Sequence, residues 1–528
     1  MRTINLFSAL FVSTGLTLAN INAPNLHAQT EQGVTYDQRT LTLSDPVMSA
    51  PVVMRFSDGE ADALMVRTRD EDGHHQLHAF SQASLAGPSP KASHKVNMPH
   101  NGVLYAHGEM PDGERERLLV LTDEGVRIYN LSTNQFDMLV EAGSIYRQGT
   151  DIRLALGDFA ADLNDDGRFD LTIPNFDGIH TWIQNPDGSF AGPTLLPVQP
   201  EMRLTGNFSN EDVSDTSFGV SRARTPSFRV FPHYVFDATG DGKPDLVFRI
   251  GKALEVFAMG PTGSFSTNAQ TVNLPFEMRG NRWIDDIRAD EENADQSNFR
   301  DVSLYRIVDL DDDGIQDIVT VLNKANGLFD REQDFRIYKG SVTGGLISYK
   351  AAPDHTLLMK GVGGLGLRDI NNDGRKDLVV ASTKLSLTKV VGFLINKTMK
   401  MRTTVQLDNG AGGYVKNENY NRSHSIGIDL SKGLTRNPPL VYADFDGDDA
   451  IDLLLGKNGE ELQLLRGDKN APFENLLTTI KADLPSEGQL VSSLEINDDG
   501  RADIVLRYSR FGYDGEEAKK KLIVFLSQ

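Results

Sequence analysis

A nine-residue pattern recurs along this chain: an acid, any residue, Asp or Asn, any residue, Asp, Gly, two further residues, then Asp. Each copy runs directly into a short apolar strand. Three copies are complete: Asp162, Asn164, Asp166 and Asp170; Asp309, Asp311, Asp313 and Asp317; Asp369, Asn371, Asp373 and Asp377. Three are altered. One reads Asp237, Thr239, Asp241 and Asp245; another reads Asp444, Asp446, Asp448 and Asp452, with Asp449 in place of the glycine; the last reads Glu495, Asn497, Asp499 and Asp503. Two worn copies precede them. Asp58, Gly59 and Asp62, and Asp112, Gly113 and Glu116, keep the second half, but Met54, Phe56, Gly108 and Met110 fill the ligand places of the first half.

The first places fall at 54, 108, 162, 237, 309, 369, 444 and 495, so the spacing runs between 51 and 75 residues. Repeats of this length with strands in every copy imply the blades of a β-propeller. The expected fold is all-β, with eight four-stranded blades, or seven if one worn copy does not form a full blade. Apolar runs such as 118–121, 317–322 and 453–455, punctuated by Gly, Asp and Asn, agree with short strands. No long 3.6-residue apolar period competes with them.

The pattern also carries chemistry. Calcium takes six to eight hard oxygens at about 2.3–2.6 Å, and alternate residues of a tight loop can aim three side-chain oxygens at one centre. Glycine at the sixth place permits the left-handed backbone that turns the chain, and the last Asp is expected to close the cage. A helix–loop–helix calcium site would close at the twelfth place and open a helix; here the closing acid stands ninth and a strand follows. Taken singly, such a loop reads as a polar hairpin turn. Six in register point to several structural Ca²⁺ ions, with the altered copies as weaker or water-completed sites and the two worn copies as metal-free turns. Six ions would offset twelve of the 21 net negative charges, so folding and calcium binding should be coupled.

Strings such as Ala161–Leu171 and Ala443–Asp448, together with Trp182–Phe190 and the echo of it at Phe257–Phe265, resemble the VCBS/FG-GAP repeat family, related to the integrin α-subunit propeller. The resemblance spans almost the whole chain after its first residues. It implies a propeller with calcium loops and is nearly silent on function, since such propellers serve in adhesion, lectin-like binding, enzyme scaffolds and toxin assemblies.

The remaining sequence bounds location and partners. A short basic start, an apolar run at 6–18 and a small residue at Ala28 read as a signal peptide of residues 1–28, followed by one propeller domain over 29–528. Secretion to the periplasm or the outside is expected, with no membrane span and a monomeric protein. An acidic balance of 53 Lys and Arg against 74 Asp and Glu disfavours nucleic acid, and the absence of cysteine excludes disulfides and thiolate sites. The last copy ends after its third strand, and residues 34–43 alternate in character. The N-terminal strand is therefore expected to complete the last blade and close the ring, hiding the sheet edges.

Metal loops should crowd one face and recognition the other, where three long connections at 193–232, 268–301 and 398–437 are expected. The first carries Arg222, Arg224 and Arg229, then His233 and Tyr234; the third carries Tyr414, Tyr420, Arg422 and His424. Cations beside aromatic rings suit acidic polysaccharide, or an extracellular protein partner, bound without catalysis. The alternative is a polysaccharide lyase acting on uronate-containing polymer. It would need a base and a cation to converge, with His233, Tyr234, His424, Tyr414 and Arg422 as candidates. No lyase motif is matched residue by residue. His74, His75 and His78 lack the helical spacing of a zinc site and are expected on a polar strand edge.

Overall fold

The second strand of each repeat explains the architecture. Ala63–Arg69, for example, reads ALMVRTR and is buried almost throughout. Its alternate residues serve two different interfaces. Ala63 and Met65 pack with Tyr105, Leu118 and Val120 of the next sheet, whereas Leu64 and Val66 pack with Leu41, Val505, Leu522 and Val524 of the sheet formed by the two ends of the chain. A strand buried on both faces shows a continuous apolar run instead of alternation.

This computed structural model describes residues 34–56, 63–109, 116–146, 154–206, 224–279, 299–326, 330–384, 386, 398–427, 439–457, 459–467, 473–511 and 513–528. The expected signal peptide and the turns of the two worn loops lie outside these residues.

Eight antiparallel sheets form the ring of an eight-bladed propeller. The first strands of the blades are Val52–Met54, Gly102–Glu109, Ala160–Ala161, His233–Phe236, Phe299–Val308, Val362–Arg368, Leu440–Ala443 and Val491–Leu494. They lie innermost, and the outer strands are the most exposed, as in Gln135–Glu141 and Leu476–Lys481. Eight apolar clusters fill the eight junctions between neighbouring blades, from blades 1 and 2 round to blades 8 and 1. Burial on this pattern is the main force holding blade to blade.

The ring closes as the terminal residues imply. Tyr36–Thr42 pairs antiparallel with Lys521–Ser527, from Tyr36 opposite Ser527 to Thr42 opposite Lys521. Leu41 is fully buried there.

One expectation about connections needs correcting. Residues 398–437 are not mainly a connection, because Thr398–Asp408 and Tyr414–Gly427 are the third and outer strands of blade 6. Among the described residues of the third strand Lys400 and Arg402 are exposed and Thr403, Val405 and Gln406 buried, so no apolar run announces it. Residues 193–232 contain a separate hairpin, Glu201–Gly206 with Arg224–Arg229. The histidines of blade 1 also differ from a polar edge: His75 and His78 are buried, and His78 Nε2 lies 2.9 Å from Thr68 Oγ1.

Candidate functional site

In all six acidic loops the backbone is built the same way. The sixth place has positive φ, at Gly167, Gly242, Gly314, Gly374, Asp449 and Gly500. So does the fourth, at Asp165, Gly240, Asp312, Asn372, Gly447 and Asp498. Asp and Asn tolerate the left-handed region better than other side chains, which is why they stand at the fourth place wherever glycine does not. In blade 7 the two roles are exchanged, with glycine fourth and Asp449 sixth.

The first-place carboxylate ties the loop together. Asp162 accepts from the backbone N–H groups of Asn164, Asp166 and Gly167, the last at 2.7 Å. Asp237, Asp309, Asp369 and Asp444 accept from the sixth-place N–H in the same way. The fifth-place carboxylate accepts from the N–H two residues on, as Asp166 does from Arg168.

The ninth-place Asp does more than close a cage. Asp170, Asp245, Asp317, Asp377, Asp452 and Asp503 are all essentially inaccessible to solvent. One oxygen of each accepts from the second-place N–H of its loop: Leu163, Ala238, Leu310, Ile370, Phe445 and Ile496. The other accepts from an N–H at or just beyond the end of the third strand: Gln184, Met259, Gly340, Asp408, Gly467 and Ser527. Each is thus a buried clamp between loop and blade. Burial pushes Asp452 up to about 8 and Asp170 and Asp317 up to about 7, with neighbouring carboxylates adding to the shift.

The third place behaves differently. Asn164 Oδ1, Asp311 Oδ1, Asn371 Oδ1, Asp446 Oδ1 and Asn497 Oδ1 are buried and have no hydrogen-bond partner. Five of the six loops therefore keep one inward oxygen unused. In the sixth, Thr239 Oγ1 lies 3.4 Å from Asp237 Oδ1 and is its donor. Buried oxygen without a partner is costly, and an all-oxygen cluster around it fits a hard divalent cation. Carboxylate groups able to hold a metal ion gather at Asp309, Asp311 and Asp313, and at Asp444, Asp446 and Asp452. A third group, Asp70, Asp72 and His74, lies on an exposed turn where Asp70 already accepts from the backbone and ring of His74.

The candidates for catalysis do not gather at one place. His233 and Tyr234 open the inner strand of blade 4, at the face opposite the acidic loops. Burial lowers the His233 pKa and raises that of Tyr234. Tyr414 opens the outer strand of blade 6 at the loop face, where burial and then Asp408, Asp317, Asp377 and Asp311 raise its pKa. Arg422, on the same outer strand, pairs with Glu474, and His424 stands opposite Met401 in the hairpin register. Arg229 pairs with Glu201 across the extra hairpin at 2.9 Å, and Arg222 lies outside the described residues.

No family model and no curated protein matches the chain. Among solved structures, the chain is similar to an Agrocybe aegerita lectin described as recognising non-reducing terminal N-acetylglucosamine, with 16% identity over 86% of this chain and 94% of that one, at a TM-score of 0.37. It is similar to the V. cholerae biofilm matrix protein Bap1, with 12% identity over 93% and 91% of the two chains and a TM-score of 0.33. A Bacillus licheniformis rhamnogalacturonan lyase gives 11% identity over 93% and 91%, at a TM-score of 0.21. Likeness at this level carries no argument about function. Among the described residues no helix is long and apolar enough to cross a membrane.

Proposed function

We propose that this is an exported, calcium-loaded propeller of the VCBS/FG-GAP kind that acts as a non-catalytic recognition or adhesion module for acidic glycan or a protein partner. The observation that carries the calcium reading is the buried, partnerless third-place oxygen repeated in five loops. Calcium supplies the missing partner and neutralises the carboxylates around it, so the ions act as structural pins for a rigid scaffold. Recognition is favoured over lyase chemistry because the candidate base and cation residues are spread over both faces and two blades.

The test has two parts. Calorimetric titration of the metal-free protein with calcium should show several sites, and incubation with uronate-containing and sulfated polysaccharides should give binding without new ultraviolet absorbance from unsaturated sugars. Absorbance that rises with wild type and vanishes in His233→Ala would make the protein a lyase. Absence of calcium binding would remove the metal reading.

A further inference from the structure

The acidic loops leave the opposite face of the ring with a different charge. The second strands of blades 8 and 1 end there in arginine: Asp503–Arg507 and Ala63–Arg69. Arg67 is 7% exposed, yet its partners are neutral. Its Nε donates to Ser49 Oγ at 3.3 Å, its NH1 lies 3.2 Å from His75 Nδ1, and its guanidinium sits 5.7 Å from the centre of the Tyr105 ring. Burial lowers the Arg67 pKa, and Arg510 and Arg69 add to the shift. Arg507 is lowered by burial too, with Arg510 and Arg67 again contributing against the pull of Glu487. Arg510 follows Arg507 by three residues, just past the end of the same strand.

Nearby acids are largely engaged elsewhere. Asp514 accepts from the backbone of Ser486 and Ser509, Glu487 accepts from Gln489, and Glu516 pairs with Lys519. Among the described residues, no carboxylate forms an ion pair with Arg67, Arg507 or Arg510. The connection that carries Arg510 also presents two exposed rings: Phe511 is 66% exposed and Tyr513 42%. The Arg510 guanidinium lies 4.8 Å from the Phe511 ring centre, and the two rings are 5.9 Å apart.

Gathered cations opposed only in part by Glu487 repel one another, and in a protein of net charge −21 acids are plentiful enough to have paired them. An external anion relieves that repulsion, and a ring beside a guanidinium offers a flat apolar face on which a pyranose can stack. We propose that Arg507, Arg510, Phe511 and Tyr513, over the field of buried Arg67, bind an anionic sugar, a pyranose carrying a carboxylate or a sulfate, where blades 8 and 1 meet. This rests on the recognition reading above and locates it. Guanidinium recognition is bidentate for either oxyanion, so the structure defines the shared chemistry.

The test uses the calcium-loaded full-length mature protein in titration calorimetry with oligogalacturonate, with heparin oligosaccharide and with neutral cello-oligosaccharide. Binding to the first identifies a carboxylate sugar, and binding to the second a sulfated one. Arg510→Ala and Phe511→Ala, both at exposed positions, should each weaken the preferred anion about tenfold, while Arg127→Ala on blade 2 should leave it unchanged. Wild-type affinity in both variants would overturn this site yet leave acidic-glycan recognition standing. No binding of either anionic sugar by wild type would overturn both. Poly-glutamate binding that matches oligogalacturonate and ignores Phe511→Ala would replace the sugar with an acidic peptide.

Discussion

Asp170→Ala and Asn164→Ala separate the two jobs done within one loop. Asp170 accepts two buried backbone hydrogen bonds, from Leu163 at 3.0 Å and Gln184 at 2.8 Å. Each hydrogen bond to a charged acceptor contributes about 1.5–3 kcal/mol, so at pH 8.5, where Asp170 is ionised, removing both should cost about 3–6 kcal/mol with or without metal. A ring of this size has an unfolding entropy of about 1 kcal/mol/K if it melts as a unit, which makes the fall in Tm about 3–6 °C. Asn164 Oδ1 has no protein partner, so its loss relieves a buried desolvation cost and should raise the metal-free Tm by about 1–3 °C instead of lowering it. In calcium the same variant should lose one ligand and one bound ion. Scanning calorimetry in EDTA and in calcium, with the metal-to-protein ratio measured after desalting, reads both effects. The reasoning is refuted if Asn164→Ala destabilises the metal-free protein as much as Asp170→Ala, or if it retains every ion.

Chelation of calcium should lower Tm and raise protease sensitivity, since carboxylates left crowded in each loop repel; an unchanged melting curve in EDTA would count against structural ions. The pH dependence of the metal-free protein follows from carboxyls raised to about 7 at Asp170 and Asp317 and about 8 at Asp452. Their folded values exceed their unfolded ones, so the stability they contribute is fully present below about pH 4 and is lost as pH rises through about 7–8. Urea denaturation in EDTA should therefore show these sites favouring pH 5.5 over pH 8.5, and calcium affinity should move the other way because the ion displaces protons. Deletion of residues 34–43 should leave Lys521–Ser527 as an open edge and yield aggregates in size-exclusion chromatography. Leu41→Ala in the same strand should cost about 2–5 kcal/mol by denaturant titration, because that side chain is fully buried.

Much of the loop was legible because its geometry is local. The acid spacing and the sixth-place glycine lie within nine residues, and the fourth-place Asp or Asn is a weaker signal that the structure brings out. The ninth-place clamp was less visible. Its second partner lies 14 residues away for Asp170 and Asp245, but 23 for Asp317 and 31 for Asp377. An interval set by hairpin length leaves no fixed motif. The outer hairpin of blade 6 was misplaced for a related reason, since its third strand carries no continuous apolar run.

The sequence by itself determined the repeat, the strand that follows every loop, the acidic character of those loops and the pairing of the two ends. These are consequences of residue chemistry over a few neighbouring positions, or of one strand missing from the last copy. Tertiary structure decided which side chains meet across blades. Val66 and Val505 share one apolar cluster only because the ring closes, and Tyr414 and Tyr234 part to opposite faces because one opens an outer strand and the other an inner strand. Contacts of that kind depend on the direction of strands and on closure of the ring, which no short stretch of residues encodes.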